Sequence, residues 1–396
     1  MRRGTKLGAL AAGLALFAAA PASAHHPKGV DVDTIVGGLD NPRHVAVAKD
    51  GGVWVAESGR GAPAAESNSC FETAEGASCT GDSGAITRIN RRGVATRVVT
   101  SLASFAPAGG NTAIGPYGIF ADGNDIYFTN GGPTGPLRPP SEDIVLRDPT
   151  LVSEEPVSRF YGTLRKVERH GGHRKIADLW RFENENNPDA EVANPLVDSN
   201  PVDVYADHGR FYVADAGGNS VLRVGRFGGI RPLAIFENRD VDDPFNPDPD
   251  GDPIPMQAVP TGVVKGPDGA LYVSQLTGFP FPVGGANVYR LDPRGGEPTV
   301  YASGFTNIID LDFGKDGTLY VLEIDNNGLL DPPDQPPTPE GALFSVSRRG
   351  TVKQVELPPG TLTHPGGVAV GRRGDVYVTN RSTEAGTGEV LRIDLD

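Results

Sequence analysis

One pattern recurs six times along the 396-residue chain, and it constrains the fold more than any other feature. Each copy has a small or proline turn, a short apolar strand, a Gly/Asp turn, and a second strand in which an aromatic residue is followed three positions on by a polar one. The copies run from Asn41-Pro42 through Trp54 to Glu57, from Gly115-Pro116 through Tyr127 to Asn130, and from Asn200-Pro201 through Tyr212 to Asp215. They continue from Val259-Pro260 through Tyr272 to Gln275, from Asn307 through Tyr320 to Glu323, and from His364-Pro365 through Tyr377 to Asn380. After each comes a second hairpin of the type Ala85 to Gly93, repeated as Thr163 to Gly172, Ser220 to Gly229, Asn287 to Gly296, Ala342 to Gly350 and Glu389 to Asp394. Alternating apolar residues bounded by turn residues read as strands, so every copy supplies four.

A four-stranded antiparallel unit repeated radially predicts an all-β, six-bladed β-propeller. The 53 glycines and 35 prolines, spread along the chain, oppose a mostly helical alternative. No copy has enough apolar residues to fold alone, which argues against separate β-domains in tandem. The last copy ends after three strands, whereas Asp33-Thr34-Ile35-Val36 is a strand without a blade. We place that segment as the outer strand of the sixth blade, with residues 33–396 forming one propeller domain.

Ahead of the repeats, Arg2, Arg3 and Lys6 precede an apolar run from Leu7 to Ala20, and Ala22-Ser23-Ala24 follows. Residues 1–24 read as a secretory signal peptide, with 25–32 a short segment before the ring. The apolar run is short of the ~20 residues that span a bilayer, and no later segment is long and apolar enough, so no membrane span is expected. Export would place Cys70 and Cys79, the two cysteines of the chain, where thiols oxidise, and we read them as one disulfide. Lys and Arg number 36 against 50 Asp and Glu, a net charge of −14, and a nucleic-acid partner is not expected because phosphate binding needs a positive footprint.

Two stretches carry a resemblance to a known family. Leu276-Thr277-Gly278-Phe279-Pro280-Phe281-Pro282-Val283-Gly284 and Gly304-Phe305-Thr306-Asn307-Ile308-Ile309-Asp310-Leu311 resemble the ScyD/ScyE family of secreted propeller proteins related to NHL repeats. The resemblance covers nearly all of the chain after the leader. It implies a six-bladed NHL-like fold and export, but no settled reaction. More distantly the blades are similar to those of gluconolactonase-like metal enzymes and streptogramin lyases. Neither group's full catalytic set can be matched, so fold analogy carries no function here.

Loop length points to a working face. The long segments, Ser58 to Ser83, Gly131 to Arg159, Phe182 to Ser199, Glu237 to Ala258, Leu276 to Ala286 and Ile324 to Glu340, all fall where second strands end or one blade passes to the next. The opposite face carries tight turns such as Asp50-Gly51 and Arg349-Gly350. Binding residues concentrate on long loops held by a rigid scaffold. On that face the second strands end in Glu57, Asn130, Asp215, Gln275, Glu323 and Asn380, all carboxylates or amides. These are candidate ligand-binding residues, or else caps for exposed backbone groups. The inner strands begin there with His44, Gly118, Asp203, Gly262, Asp310 and Gly367, ionisable residues alternating with glycine.

Asp203 and Asp310 are therefore candidate metal ligands, with calcium the possible ion because its ligands are oxygens, although three alternate blades must converge closely to share one ion. His44 is a candidate ligand-binding residue and proton carrier. The segment Asn246-Pro247-Asp248-Pro249-Asp250-Gly251 matches the opening of a calcium loop, making Asp248 and Asp250 the alternative metal ligands, but its twelfth position is Gln257 instead of a bidentate glutamate. Gly81-Asp82-Ser83-Gly84 copies the surroundings of a serine nucleophile, yet a loop leading into a propeller strand brings it neither histidine nor buried aspartate. The turn of a first hairpin explains Arg373-Gly374-Asp375. The expectation is an extracellular binding or accessory protein that takes a small organic molecule or an extracellular protein on its long-loop face. A metal-dependent lactonase-like hydrolase or lyase in the axial cavity is the alternative.

Overall fold

The computed structural model describes residues 30–67, 70–73, 76–132, 160–245, 252–330 and 339–395. Val30–Leu395 form one compact unit. Six antiparallel sheets follow one another as blades, and the inner strands are Pro42–Val47, Pro116–Asp122, Pro201–Asp207, Pro260–Lys265, Ile308–Phe313 and Gly367–Val370. Each pairs with its second strand as the repeats predict, for example Tyr205 opposite Tyr212 and Asp312 opposite Tyr320. Buried side chains from facing sheets, such as Tyr212, Val263 and Leu271 between blades 3 and 4, form the cores between neighbours. Stability is thus shared between blades instead of residing within one.

Closure occurs through the ends of the ring. Asp31–Asp40 pairs antiparallel with Ala385–Asp394, placing Thr34 opposite Leu391 and Val36 opposite Val390, so the sixth sheet takes its outer strand from the start of the repeats. Blade 1 departs from the four-strand pattern. Its third strand is extended back to Gly76, and a fifth strand, Cys70–Thr73, folds against it with Cys70 directly opposite Cys79. The disulfide forms between them. Repeat spacing could not reveal this hairpin, because it is an insertion within one of the long segments. A helix, Leu179–Asn186, follows the outer strand of blade 2, with Asp178 accepting the Arg181 amide as its cap. Among the described residues no helix is long and apolar enough to cross a membrane.

Val32, Ile35 and Val36 are half-buried against the sixth blade and its neighbour. Deleting Asp31–Val36 should therefore cost about 3 kcal/mol, the scale of half-burying three branched side chains. Urea unfolding reads this out, and an unchanged midpoint would show that the ring does not depend on the closing strand.

Candidate functional site

The alternation of ionisable residues with glycine has a physical meaning at the axis. An inner strand presents its free edge to the channel, and its N–H groups there have no neighbouring strand to accept them. Asp203 supplies acceptors: Oδ1 takes the N–H of Val204 at 2.6 Å, and Oδ2 reaches across to Val263 N in blade 4 at 2.7 Å. Asp310 Oδ2 takes Val368 N in blade 6 at 2.7 Å. Two residues further on, Asp312 repeats the device with Val370 N at 2.7 Å. The glycines allow the strands to approach. A Cβ on Gly118 would lie 2.4 Å from the Cα of Asp203, and one on Gly367 would lie 2.7 Å from the Cα of His44. Both contacts are with backbone, which cannot move aside without spreading the blades.

His44 enters from blade 1 between the two carboxylates. Its Nε2 lies 2.9 Å from Asp310 Oδ2 and 3.3 Å from Asp203 Oδ1. The contact is one of charge more than of in-line hydrogen bonding, since neither ring nitrogen has a well-aligned acceptor. His44, Asp203 and Asp310 are 7%, 4% and 1% exposed, and one ligand atom from each lies within 4.8 Å of the others, close enough to hold a metal ion. The three blades thus converge far more tightly than sequence spacing could show. Burial alone would lower the pKa of His44, but the charges of Asp310 and Asp203 overcome it and raise the group to about 9. Burial raises Asp203, with His44 opposing, and burial raises Asp312 to about 7. At neutral pH the axis therefore holds an imidazolium between carboxylates.

A cavity of about 100 Å³ adjoins this group, lined by His44, Asp203, Asp310, Asp312, Phe120 and Tyr205 among others. Its lining residues follow the triad along each inner strand, so the cavity lies on the tight-turn side. Such a volume accommodates a few waters, whereas sites for organic ligands are typically ~300–1,000 Å³.

The six strand-end residues stay one to a blade. Each is 2% exposed or less, and each is engaged by its own connections. Glu57 accepts Asp40 N at 2.9 Å and the Arg97 guanidinium at 2.6 Å; Asp215 accepts Asn200 N at 2.7 Å; Glu323 accepts Thr306 N at 2.7 Å; Asn380 accepts Thr363 N at 2.7 Å. Gln275 accepts Asn287 N at 3.2 Å, and Asn130 donates to Gly131 O at 3.2 Å. Four of the six therefore hold the turn that leads into an inner strand. Burial raises Asp215 to about 6 and Glu323 to about 7. Asp248 and Asp250 lie outside the described residues. Sequence reasoning missed Asp312, although its alternation with Asp310 on an inner strand was a usable signal.

No family model and no curated protein matches this chain in sequence. Fold and axial geometry define the class, a six-bladed β-propeller of four-stranded blades. Among solved structures the chain is similar to a putative gluconolactonase, with 12% identity, 93% of this chain and 93% of that chain covered, and a TM-score of 0.50. It is similar also to a protein of unknown function from Bacteroides thetaiotaomicron, at 12% identity over 92% of this chain and 76% of that one, TM-score 0.50. Virginiamycin B lyase from Staphylococcus aureus follows at 13% identity, 93% and 100% coverage and a TM-score of 0.48. These likenesses bear on the fold alone.

The imidazolium gives a pH prediction. A folded-state pKa of about 9 against 6.5 for an ordinary histidine means that the contribution is full below pH 6.5 and is lost as pH rises through about 9. In the presence of EDTA, unfolding free energy should fall over that interval. In His44→Gln that slope should shrink to the smaller part contributed by Glu183, raised to about 8, and by Asp312 and Glu323, each raised to about 7, and the variant should be about 3–5 kcal/mol less stable at pH 6, because two buried carboxylates lose their counter-charge. A wild-type profile flat from pH 6.5 to 9 would refute the imidazolium.

Proposed function

We propose that this chain is an exported, NHL-like propeller of the ScyD/ScyE type that acts as an extracellular binding or accessory protein through its long-loop face. A signal peptide over residues 1–24 would deliver it, and the disulfide between Cys70 and Cys79 is consistent with an oxidising destination. One observation carries the reading. On two neighbouring long connections Phe245 and Phe279 are 70% and 43% exposed, and their rings stack with centroids 5.8 Å apart and planes 18° apart. Phe281 meets Phe279 edge-on at 6.5 Å, and Val283 beside them is 68% exposed. Aromatic faces left in water mark a surface that binds planar or apolar groups. The axial cavity, by contrast, is small, and its carboxylates are committed to backbone groups.

A neutral aromatic fluorophore such as N-phenyl-1-naphthylamine tests this surface. Its emission should rise on binding the native protein, and Phe245→Ser/Phe279→Ser should abolish the rise while leaving the melting temperature nearly unchanged. Undiminished binding by the double variant would move the site elsewhere.

A second reading, a metal-dependent lactonase-like hydrolase or lyase, is favoured by the axial triad. His44, Asp203 and Asp310 would hold a divalent ion that polarises a carbonyl or activates water. The donor set fits a cation only once His44 has lost its proton, and a ring nitrogen beside two carboxylates suits calcium less well than all-oxygen ligation. Glu57 and Glu323, at the strand ends, are each held by a backbone amide and stand outside this triad. Elemental analysis with a panel of lactones and esters separates the readings: the binding protein predicts no turnover with any divalent ion, whereas metal-dependent turnover lost in Asp310→Asn would establish the hydrolase.

A further inference from the structure

A second group of carboxylates lies outside the axial cavity, where blade 2 passes to blade 3. Glu183 sits on the helix Leu179–Asn186, Asp189 and Asp198 on the connection that follows, and Asp215 at the end of a second strand. Glu183 and Asp215 are fully buried and Asp189 is 1% exposed. Neither carboxylate oxygen of Glu183, nor Oδ1 of Asp189, has a hydrogen-bond partner of normal geometry in the chain. The other oxygen of Asp189 takes Asn219 Nδ2 at 3.0 Å. Asp215 accepts Ser199 Oγ, Asn200 N and Gly218 N at 2.6, 2.7 and 3.2 Å.

Glu183, Asp198 and Asp215 meet at Gly218, and Asp189 stands behind them on Asn219. A Cβ on Gly218 would stand 3.2 Å from Glu183 Oε2, 3.5 Å from the carbonyl oxygen of Asp198 and 3.6 Å from Cγ of Asp215. The cations nearest in sequence are used elsewhere, Lys175 with Asp178 at 2.6 Å and Arg181 with Glu185 at 2.7 Å. Among the described residues no ion pair neutralises Glu183, Asp189 or Asp215. Burial, then the charges of Asp215, Asp189 and Asp198, push Glu183 up to about 8, with the Asp198 amide opposing in part. A buried carboxylate with bare oxygens is strongly unfavourable unless a proton or a cation compensates it.

We propose that this pocket binds a calcium ion, held by Glu183, Asp189, Asp215 and the carbonyl of Asp198, which fastens the connection between blades 2 and 3. The donors are all oxygen and mix carboxylate with backbone carbonyl, the ligation that calcium accepts in irregular geometry and magnesium, with its tight octahedron, does not. The axial triad differs in supplying a ring nitrogen, so the two places are distinguishable by chemistry and by mutation. The site is independent of the function proposed above.

Full-length protein stripped with EDTA is the starting point. Adding calcium chloride should raise its melting temperature, and magnesium chloride should do so much less, because a ligand specific to the native state stabilises it. The calcium shift should be lost in Glu183→Gln and in Asp189→Asn and persist in Asp310→Asn, each measured from its own baseline. Terbium gives a second readout. Trp180 lies one helical turn before Glu183, so terbium emission excited through tryptophan should appear with the native protein and be abolished by Trp180→Phe, which leaves the calcium shift intact. A shift retained in both pocket variants, a shift lost only in Asp310→Asn, the absence of any shift, or terbium emission unaffected by Trp180→Phe would each overturn the proposal.

Discussion

Six strand edges meet at the axis of the ring, and their amides must find acceptors where no further strand can reach them. This requirement governs the centre of the molecule. Asp203, Asp310 and Asp312 answer it by reaching from one blade to the next, at 2.7 Å in each case. Once those carboxylates are buried they need a counter-charge, and His44 supplies it from the remaining alternate blade. Glycine on the intervening blades follows from the same demand, because a methyl group at Gly118 or Gly367 would collide with the backbone of the neighbouring inner strand. Charge and small size are thus two halves of one packing solution.

The rim follows a related rule with different partners. Glu57, Asp215, Glu323 and Asn380 each accept an amide from the turn that starts their own blade. In four of the six blades a polar residue at the end of the second strand therefore fixes where the chain enters the sheet, and the long connections hang from that fixed frame. Such a frame lets the connections vary from blade to blade, carrying a helix in one place and stacked phenyl rings in another, while the sheets stay alike.

The blades were legible in the sequence because their signals are local: an aromatic in the second strand, a Gly/Asp turn, and alternation over a few residues. Ring closure was legible by subtraction, as a lone strand at Asp33 to Val36 and a blade one strand short. The alternation of His44, Asp203 and Asp310 with glycine could also be read, but the 4.8 Å convergence could not, since it depends on the radius at which six sheets close. Glu183 and Asp189 gave no signal. They lie in a connection whose sequence is not repeated in the other blades, so no register marks them, and their burial depends on how a helix folds over blade 2. The hairpin that carries the disulfide escaped repeat analysis for the same reason.

Pairing of Thr34 with Leu391 has a consequence for how the molecule is made. Five sheets can form in order as the chain emerges, each resting on the one before, but the sixth needs partners from both extremes of the sequence. Closing that contact costs the entropy of a very large loop, so the last step should be slow in forming and, once the axial carboxylates have engaged across the seam, slow in breaking. Until the final strand appears the ring is an open arc with bare edges at both ends. Its durability is therefore a property of the completed circle that no single blade possesses.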